Sequence, residues 1–390
     1  MKYITTEKLP IKSWCNTPED GCIEQAKNLA NLPFLFKHVA LMPDTHQGYG
    51  MPIGGVIAAQ HVIIPNAVGV DIGCGMCVVN TNLTVDIFTI EQLKAVMGEI
   101  RKAVPVGFNH HKEPCPPLAM PGSLAEKSTD MPIVTREFEK ARTQLGTLGG
   151  GNHFIEIQKD EHGGIWVMIH SGSRNLGKQV ADHYNKIAKE LNARWHTQVD
   201  PKVDLAFLPF DTPEAKAYFM EMNYCLAFSK ANRSKMLTAI KECFNSVTST
   251  GFDEALDIQH NYAAWENHFG QNVIIHRKGA TLARAGQLGI IPGSQGTSSY
   301  IVEGLGNPNS FMSCSHGAGR RMGRKEAERT LDLAGEIKRM DDKGIIHAIR
   351  GKGELDESPS AYKDIETVMA EQSDLVKIIT RLEPMGVIKG

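Results

Sequence analysis

Apolar residues recur along this chain in two rhythms, separated by glycine-rich loops. Short apolar runs bounded by turn residues predict strands: HVALMPD (38–44), GGVIAA (54–59), HVIIP (61–65) and VIIHRK (273–278). FIEIQ (154–158) and IWVMIH (165–170) predict a strand pair with its turn at Gly163 and Gly164. Helical spacing of Ile87, Ile90, Leu93, Val96 and Met97 predicts a helix over 84–103, opened by Thr84. The longest helical pattern runs from about Pro213 to Val247, with Phe219, Met222, Leu226, Ser229, Arg233, Met236 and Ile240 on one broad face. A further helix is expected over 362–382, and VGFNHHKEPCPPLAMPG (106–122) reads as proline-rich loop. No repeat, low-complexity tract or long polar linker interrupts the sequence. The mixture predicts an α+β fold of mixed β-sheets with surrounding helices.

Composition narrows the class without choosing a function. The chain has 390 residues, 22% charged and 42% hydrophobic, as expected of a globular protein with ample core. Its start lacks the apolar core of an export signal, and no apolar run approaches membrane-spanning length. Eight cysteines in so long a chain then read as reduced thiols in a cytoplasmic protein. A net charge of −2 argues against nonspecific coating of nucleic acid, but not against grip on a strand end. Arg320, Arg321, Arg324 and Lys325 offer a local basic cluster, with a solvated helix face as the plainer reading of the last two.

The glycine-rich stretches carry the chemistry. Asp71 and Cys74 stand in GVDIGCGM, His153 in GGGNHF, His170 in MIHSGSRN, His260 in IQHNY and His316 in SCSHGAGR. Glycine beside a reactive side chain lets backbone come close or take a positive φ. A carboxylate, a thiolate and imidazoles together suit a transition metal better than magnesium or calcium. Five such residues exceed one tetrahedral ion, so the simplest arrangement is two ions with Cys74 as a bridge. Such a pair can clamp a transferring phosphoryl group. Because these residues span 71 to 260, one interwoven domain over 1–390, with the metal site at its centre, is expected.

Other readings compete at each position. Any single histidine of the fifteen can be an ordinary surface or hydrogen-bonded residue. Cys74 and Cys77 form C-x-x-C, a pattern of redox pairs and half zinc sites, but no second pair follows. Cys15, Cys22, Cys115, Cys225 and Cys243 read as packing or surface thiols. GSRNLGKQ (172–179) follows a strand and enters a helix like a phosphate-binding loop, yet Gln179 replaces the hydroxyl that would hold magnesium. His316 stands among small residues with Gly317, Ala318 and Gly319 following, a setting that exposes an imidazole and offers open backbone N–H groups to a phosphate. Spacing alone leaves it either a covalent nucleophile or a sixth metal ligand.

Taken in order, the blocks MPDTHQGYGMPIGG, GVDIGCGM, LGTLGGGNHFIEIQ, HSGSRNLG, HNY, RKGAT, IIPGSQGT, CSHGAGR, DESPSAYKDIETVM and IKG resemble the RtcB family of RNA-splicing ligases over essentially the whole chain. The resemblance implies joining of an RNA 3′-phosphate or 2′,3′-cyclic phosphate to a 5′-hydroxyl, with GTP and manganese. It implies that Asp71, Cys74, His153, His170 and His260 hold two Mn2+ ions and that His316 takes GMP from GTP. Asn152 and the Gly317–Ala318–Gly319 backbone would hold the guanylate, and Glu156, Ser294, Ser299, Tyr362 and Lys389 would line a guanine pocket. Arg174 would contact RNA phosphate, Lys278 would lie near the nucleotide, and Asp44 would orient a metal ligand. The partners implied are RNA ends and GTP, with an archease-like activator protein as a further option and no membrane. Gln295 stands where methionine is commoner in the family and Gly323 where serine is usual, which bears on substrate preference more than on chemistry. A dinuclear metallophosphoesterase, an RNA-end-binding regulator and a P-loop ATPase are the competing classes.

Overall fold

The computed structural model describes residues 1–122 and 130–390. Two twisted sheets organise it. In the first, strands Lys2–Ile4, Ile11–Ser13, Leu35–His46, Ile53–Ala59, Gln271–Lys278 and Asn261–His268 lie side by side in that order. In the second the order is Leu256–Gln259, Gly75–Thr84, Gly164–Ser171, Phe154–Asp160, Val376–Lys389, Ser299–Gly304 and Leu288–Ile291. Both sheets are covered on both faces, so their inner strands alternate between two apolar layers. Val39, Leu41 and Ile57 pack under helix Asp20–Ala30, while Ala40, Met42, Val56 and Ala58 face helix Ile365–Glu371. In the second sheet Ile155, Ile157, Val167 and Ile169 face helix Ile90–Ala103, and Phe154 and Met168 face helix Leu333–Asp342. The α+β reading holds.

The long helix is found at Pro213–Val247, opened by Thr212 accepting from the Ala215 N–H. Its first half packs Tyr218, Met222, Cys225 and Phe228 against helices Pro132–Gln144 and Arg174–Arg194. Its second half sends Met236, Ile240 and Phe244 into the core beneath the second sheet. Between the two halves Ser229, Asn232 and Arg233 are fully buried. The face read as broadly apolar is therefore interrupted by a polar stripe.

Two element expectations are corrected. Thr84 ends strand Gly75–Thr84, and the helix starts six residues later at Ile90. Thr89 and Gln92 form a reciprocal capping box, which Thr84 with Ile87 three residues on cannot. The helix expected over 362–382 is a short one, Ile365–Glu371, capped by Asp364, after which Val376–Lys389 is a long strand. The run VKIIT is largely β-branched and pairs with Ser299–Gly304, while residues 382–389 of the same strand pair with Phe154–Asp160. Gly163, at φ 84°, makes the expected turn, whereas Gly164 already pairs with Thr84. Residues 106–122 contain only a single 3-10 turn, Pro117–Ala119. No helix among the described residues is long and apolar enough to cross a membrane.

Candidate metal centre

Four neighbouring strands of the second sheet bring four ligand candidates to one end. Gln259 pairs with Gly75, Gly75 with Ser171, and His170 with both Met76 and Phe154. That register aligns Cys74, His153, His170 and His260, each within a residue of a strand end. His260 occupies the single position where the chain leaves the second sheet and enters the first, and its N–H donates to the Cys74 carbonyl at 2.9 Å. Asp71 reaches the group from the loop before Cys74.

The side chains fall into two sets, Cys74–His170–His260 and Asp71–Cys74–His153, whose ligand atoms lie within 4.8 Å of one another. Cys74 belongs to both. Its Sγ is 3.2 Å from His170 Nε2 and 3.5 Å from His153 Nε2, and His153 Nε2 is 3.1 Å from Asp71 Oδ2. His153 Nδ1 donates to the Leu148 carbonyl and His170 Nδ1 to the Asn152 carbonyl, each at 3.0 Å. These bonds fix the tautomer that leaves Nε2 free for a cation, the usual outer support of a ligating imidazole. Burial pushes the His170 and His260 pKa values well below the ordinary range, so both rings are held in the neutral, ligating form. Burial, reinforced by the Asp71 carboxylate, pushes the Cys74 thiol well up. Cationic charge between the two sets would reverse that, since metal binding drives a thiol to its thiolate. The donor set thus fits two transition-metal ions sharing a sulfur.

Beneath the ligands the buried stripe of the long helix acts as a set of bolts. Asn232 Oδ1 accepts from the Gly146 and Thr147 N–H groups at 2.7 and 3.1 Å, while its Nδ2 reaches Thr147 O and Ser171 Oγ. Arg233 donates to Ser171 O at 2.9 Å and pairs with Asp257 at 2.6 Å. Ser229 donates to the Gly73 carbonyl. Three ligand-bearing loops are tied to one helix in this way. The sequence placed Ser229 and Arg233 on the helix's broad face but gave them no role and left out Asn232; polar groups at i, i+3 and i+4 within that face were the available signal.

His316 follows strand Ser313–Ser315 and lies beside the cluster, its ring centroid 4.9 Å from that of His260. It belongs to neither ligand set. Its Nδ1 lies 2.6 Å from Asp44 Oδ2, which also accepts the His316 and Gly317 N–H groups at 3.1 and 3.3 Å. Asp44 is completely buried. Burial alone would raise its carboxyl, but the charge and hydrogen bond of His316 outweigh that and hold its pKa below the ordinary value. Asp44 therefore orients His316, and not one of the five ligand candidates as expected. Its other ring nitrogen, Nε2, lies on the side of the ring away from Asp44.

A model of the family described as tRNA-splicing ligase RtcB matches residues 25–390. The chain is 38% identical to the RNA-splicing ligase RtcB of Escherichia coli, covering 100% of this chain and 99% of that protein. It is 33% identical to the tRNA-splicing ligase RtcB of Nanoarchaeum equitans, over 95% and 92% of the two chains. Identity is also 33% to the RNA-splicing ligase RtcB of Mycobacterium tuberculosis, over 94% of this chain and 100% of that one. The chain belongs to the RtcB family.

Of the remaining residues that the RtcB resemblance singles out, most border a cavity of about 870 Å³ together with the cluster. Asn152, Lys278, Ser294, Gly317, Ala318, Gly319, Tyr362 and Lys389 line it, as do Asp71, Cys74, His170, His260 and His316. His153, Glu156, Ser299, Arg174 and Asp44 do not. Glu156 and Ser299 form a buried unit behind the wall, bridged by Gln158 Nε2 at 2.8 and 3.1 Å. Burial pushes the Glu156 carboxyl up to about 8, with Gln158 and Lys389 opposing. Tyr362 donates to Glu357, and its ring carries the Arg320 guanidinium 5.1 Å above it. Glu357, missed in the sequence, gathers Arg320, Arg324 and Lys389 at 3.0, 2.7 and 3.7 Å. Arg324 is thus a paired group and not a solvated one, while Lys325 is exposed. Arg174, at φ 58°, donates to Thr147 Oγ1 and to Gly107 O. Lys278 is buried, its Nζ donating to the Tyr49 and Asn66 carbonyls at 2.6 and 2.9 Å, and burial lowers its pKa to about 8. Gln295 borders the cavity and donates to Glu357 O at 2.9 Å, whereas nothing lies near the Gly323 Cα that a serine would disturb.

The two decoys resolve structurally. Cys77 points into the apolar layer under the second sheet, away from the ligands, and burial pushes its thiol up to about 12. All eight cysteines are free and buried. In GSRNLGKQ only Gly172 and Ser173 separate strand from helix, too few to wrap a phosphate. A methyl at Gly172 would overlap Asp71, and Lys178 points to solvent where it pairs with Asp182.

Proposed function

We propose that this chain is an RNA ligase that joins a 3′-phosphate or 2′,3′-cyclic phosphate end to a 5′-hydroxyl end, using GTP and manganese. The observation that carries the reading is the Asp44–His316 pair set against the two ligand sets that share Cys74. A metallophosphoesterase would use the cluster but has no need of an imidazole whose far nitrogen is fixed by a buried carboxylate.

A phosphate monoester cannot be displaced by a hydroxyl until one of its oxygens becomes a good leaving group. His316 Nε2 attacks the α-phosphorus of GTP; the Nε2–P bond forms and the bond to pyrophosphate breaks. Asp44 retains the Nδ1 proton and stabilises the positive ring as charge develops. An oxygen of the RNA 3′-phosphate then attacks the same phosphorus, the P–N bond breaks and His316 is regenerated. Last, the 5′-hydroxyl attacks the RNA 3′-phosphorus and GMP departs; a cyclic end is first opened by water. Asp71, Cys74, His153, His170 and His260 would hold two manganese ions, which as Lewis acids lower the charge of phosphoryl oxygens at entry and departure. Arg320, Arg324 and Lys389, kept together by Glu357, supply fixed positive charge to the guanylate. Glu156, whose carboxyl is pushed up to about 8 by burial, would accept from guanine N1–H and the amino group once it ionises and Gln158 yields its bond. Spliced tRNA halves and cleaved transcripts present the same ends, and an archease-like protein is a candidate activator.

The test is GTP labelled at the α-phosphate, with a metal series. Acid-labile label should appear on the protein with manganese and vanish in His316→Ala, and Asp44→Asn should slow its appearance by on the order of 10²-fold or more. Label that persists in His316→Ala, or RNA joining without nucleotide, would remove the proposal.

A further inference from the structure

Tyr49, in the GYG of the first glycine block, is 79% exposed yet stands on a rigidly held loop at the cavity wall. Its carbonyl accepts from Lys278 Nζ at 2.6 Å and from the Met51 N–H at 2.8 Å. Gly48 is bonded through both its N–H and its carbonyl to the Gln25 amide, at 3.1 and 2.5 Å. Gly50 has φ 67°, and a methyl there would overlap the Asp204 carbonyl. Among the described residues the Tyr49 ring belongs to no core cluster and has no aromatic or cationic partner. A bare aromatic ring on a fixed backbone contributes little to folding.

The same buried Lys278 supports a second exposed apolar residue. Its stem lies 3.4 Å from where a Cβ would stand on Gly69, and the next residue, Val70, is 49% exposed on the same cavity. Val70 directly precedes Asp71. Two exposed apolar side chains thus stand on the cavity that the ligand candidates line, with Lys278 bonded to the backbone of one loop and packed beside the other.

We propose that Tyr49, with Val70 on the same cavity, is a stacking platform for a nucleobase at the end of the 3′-phosphate strand of the RNA. This rests on the ligase reading above. That strand is the one committed here, because its phosphate must stay at the cluster through two successive steps while the 5′-hydroxyl is needed only in the last. Stacking on an aromatic face is tolerant of base identity, which suits an enzyme whose ends vary in sequence. Lys278 then acts as a positioning residue for the loop that carries Tyr49.

The experiment is fluorescence anisotropy of a short labelled RNA ending in a 3′-phosphate, with the full chain, manganese and no GTP. Failure of guanylylation would leave this measurement intact, so the two proposals fail separately. Tyr49→Ala should weaken binding about tenfold, the scale of one base–aromatic stack, and Tyr49→Phe should bind like the parent. RNA made abasic at its last two nucleotides should lose the same factor with the parent chain and lose nothing more with Tyr49→Ala. Parent-like affinity of Tyr49→Ala, a Phe variant as weak as Ala, or losses that multiply on the abasic RNA would each overturn the proposal. Should Tyr49→Ala prove unfolded by thermal melting, the Phe variant and the abasic RNA on the parent chain still decide.

Discussion

Single residues in this molecule are tuned chiefly by burial, and Glu156 shows it most directly. Its carboxyl is pushed from an ordinary 4.5 to about 8, with no cation in direct contact. The folded chain therefore holds a proton that the unfolded chain releases, so stability is highest below pH 4.5 and declines as pH rises toward 8. Melting of the parent and of Glu156→Gln, compared from acid to mildly alkaline pH, should diverge across that window in favour of the Gln variant. The gap should reach several degrees, at roughly 2–4 °C per kcal/mol for a chain of this size. A constant gap would mean that Glu156 titrates alike in the folded and unfolded chain. Four of the five ligand candidates were legible because glycines with a packing duty stand close by, as at Gly172 against Asp71, whereas His260 in IQHNY has none. The role of Asp44 was not, because its partner lies 272 positions away and nothing local distinguishes a carboxylate that faces His316 from one that faces a metal ligand.

At the scale of elements, strand register does most of the assembly and the glycine turns finish it. Gly149 has φ 94°, and a Cβ there would stand 2.7 Å from His153 Nδ1 and overlap the Arg174 guanidinium. Gly149→Ala should displace His153 from its bond to Leu148 and weaken metal affinity by about 10- to 100-fold, the usual effect of losing an outer support. A cobalt titration followed by visible absorption measures this, and parent-like affinity would refute the arrangement. Strands announced themselves as short apolar runs between turn residues, and the long helix by its period. The start of helix Ile90–Ala103 was misplaced because periodicity extends past the true cap; the Thr89–Gln92 box was present in the sequence and outweighs it. Strand Val376–Lys389 was lost for a different reason. Its pattern is broken by bulges and by Pro384, irregularities tolerated only because partners on both sides fix the register.

Across the whole molecule, the site is held less by its own ligands than by the helix beneath it. Arg233 is fully buried, bonded to two ligand loops and paired with Asp257. Removing one member of such a pair leaves a charge without its partner, so Arg233→Ala should cost about 3–5 kcal/mol, read as a lowered denaturation midpoint. A loss below 1 kcal/mol would show that the loops stand without it. From sequence this could not be seen, since a buried arginine in a helix is written like an exposed one until the loops it ties are located.

The place of Val376–Lys389 in the second sheet has a consequence during synthesis. It lies between Phe154–Asp160 and Ser299–Gly304, both of which leave the ribosome long before it does. Until it arrives the sheet has an open seam, and Lys389 is absent from the wall beside His316. A nascent chain thus carries every candidate metal ligand while still lacking the piece that closes the second sheet. Competence waits on this late strand, and in the interval the unpaired edges need shielding from one another.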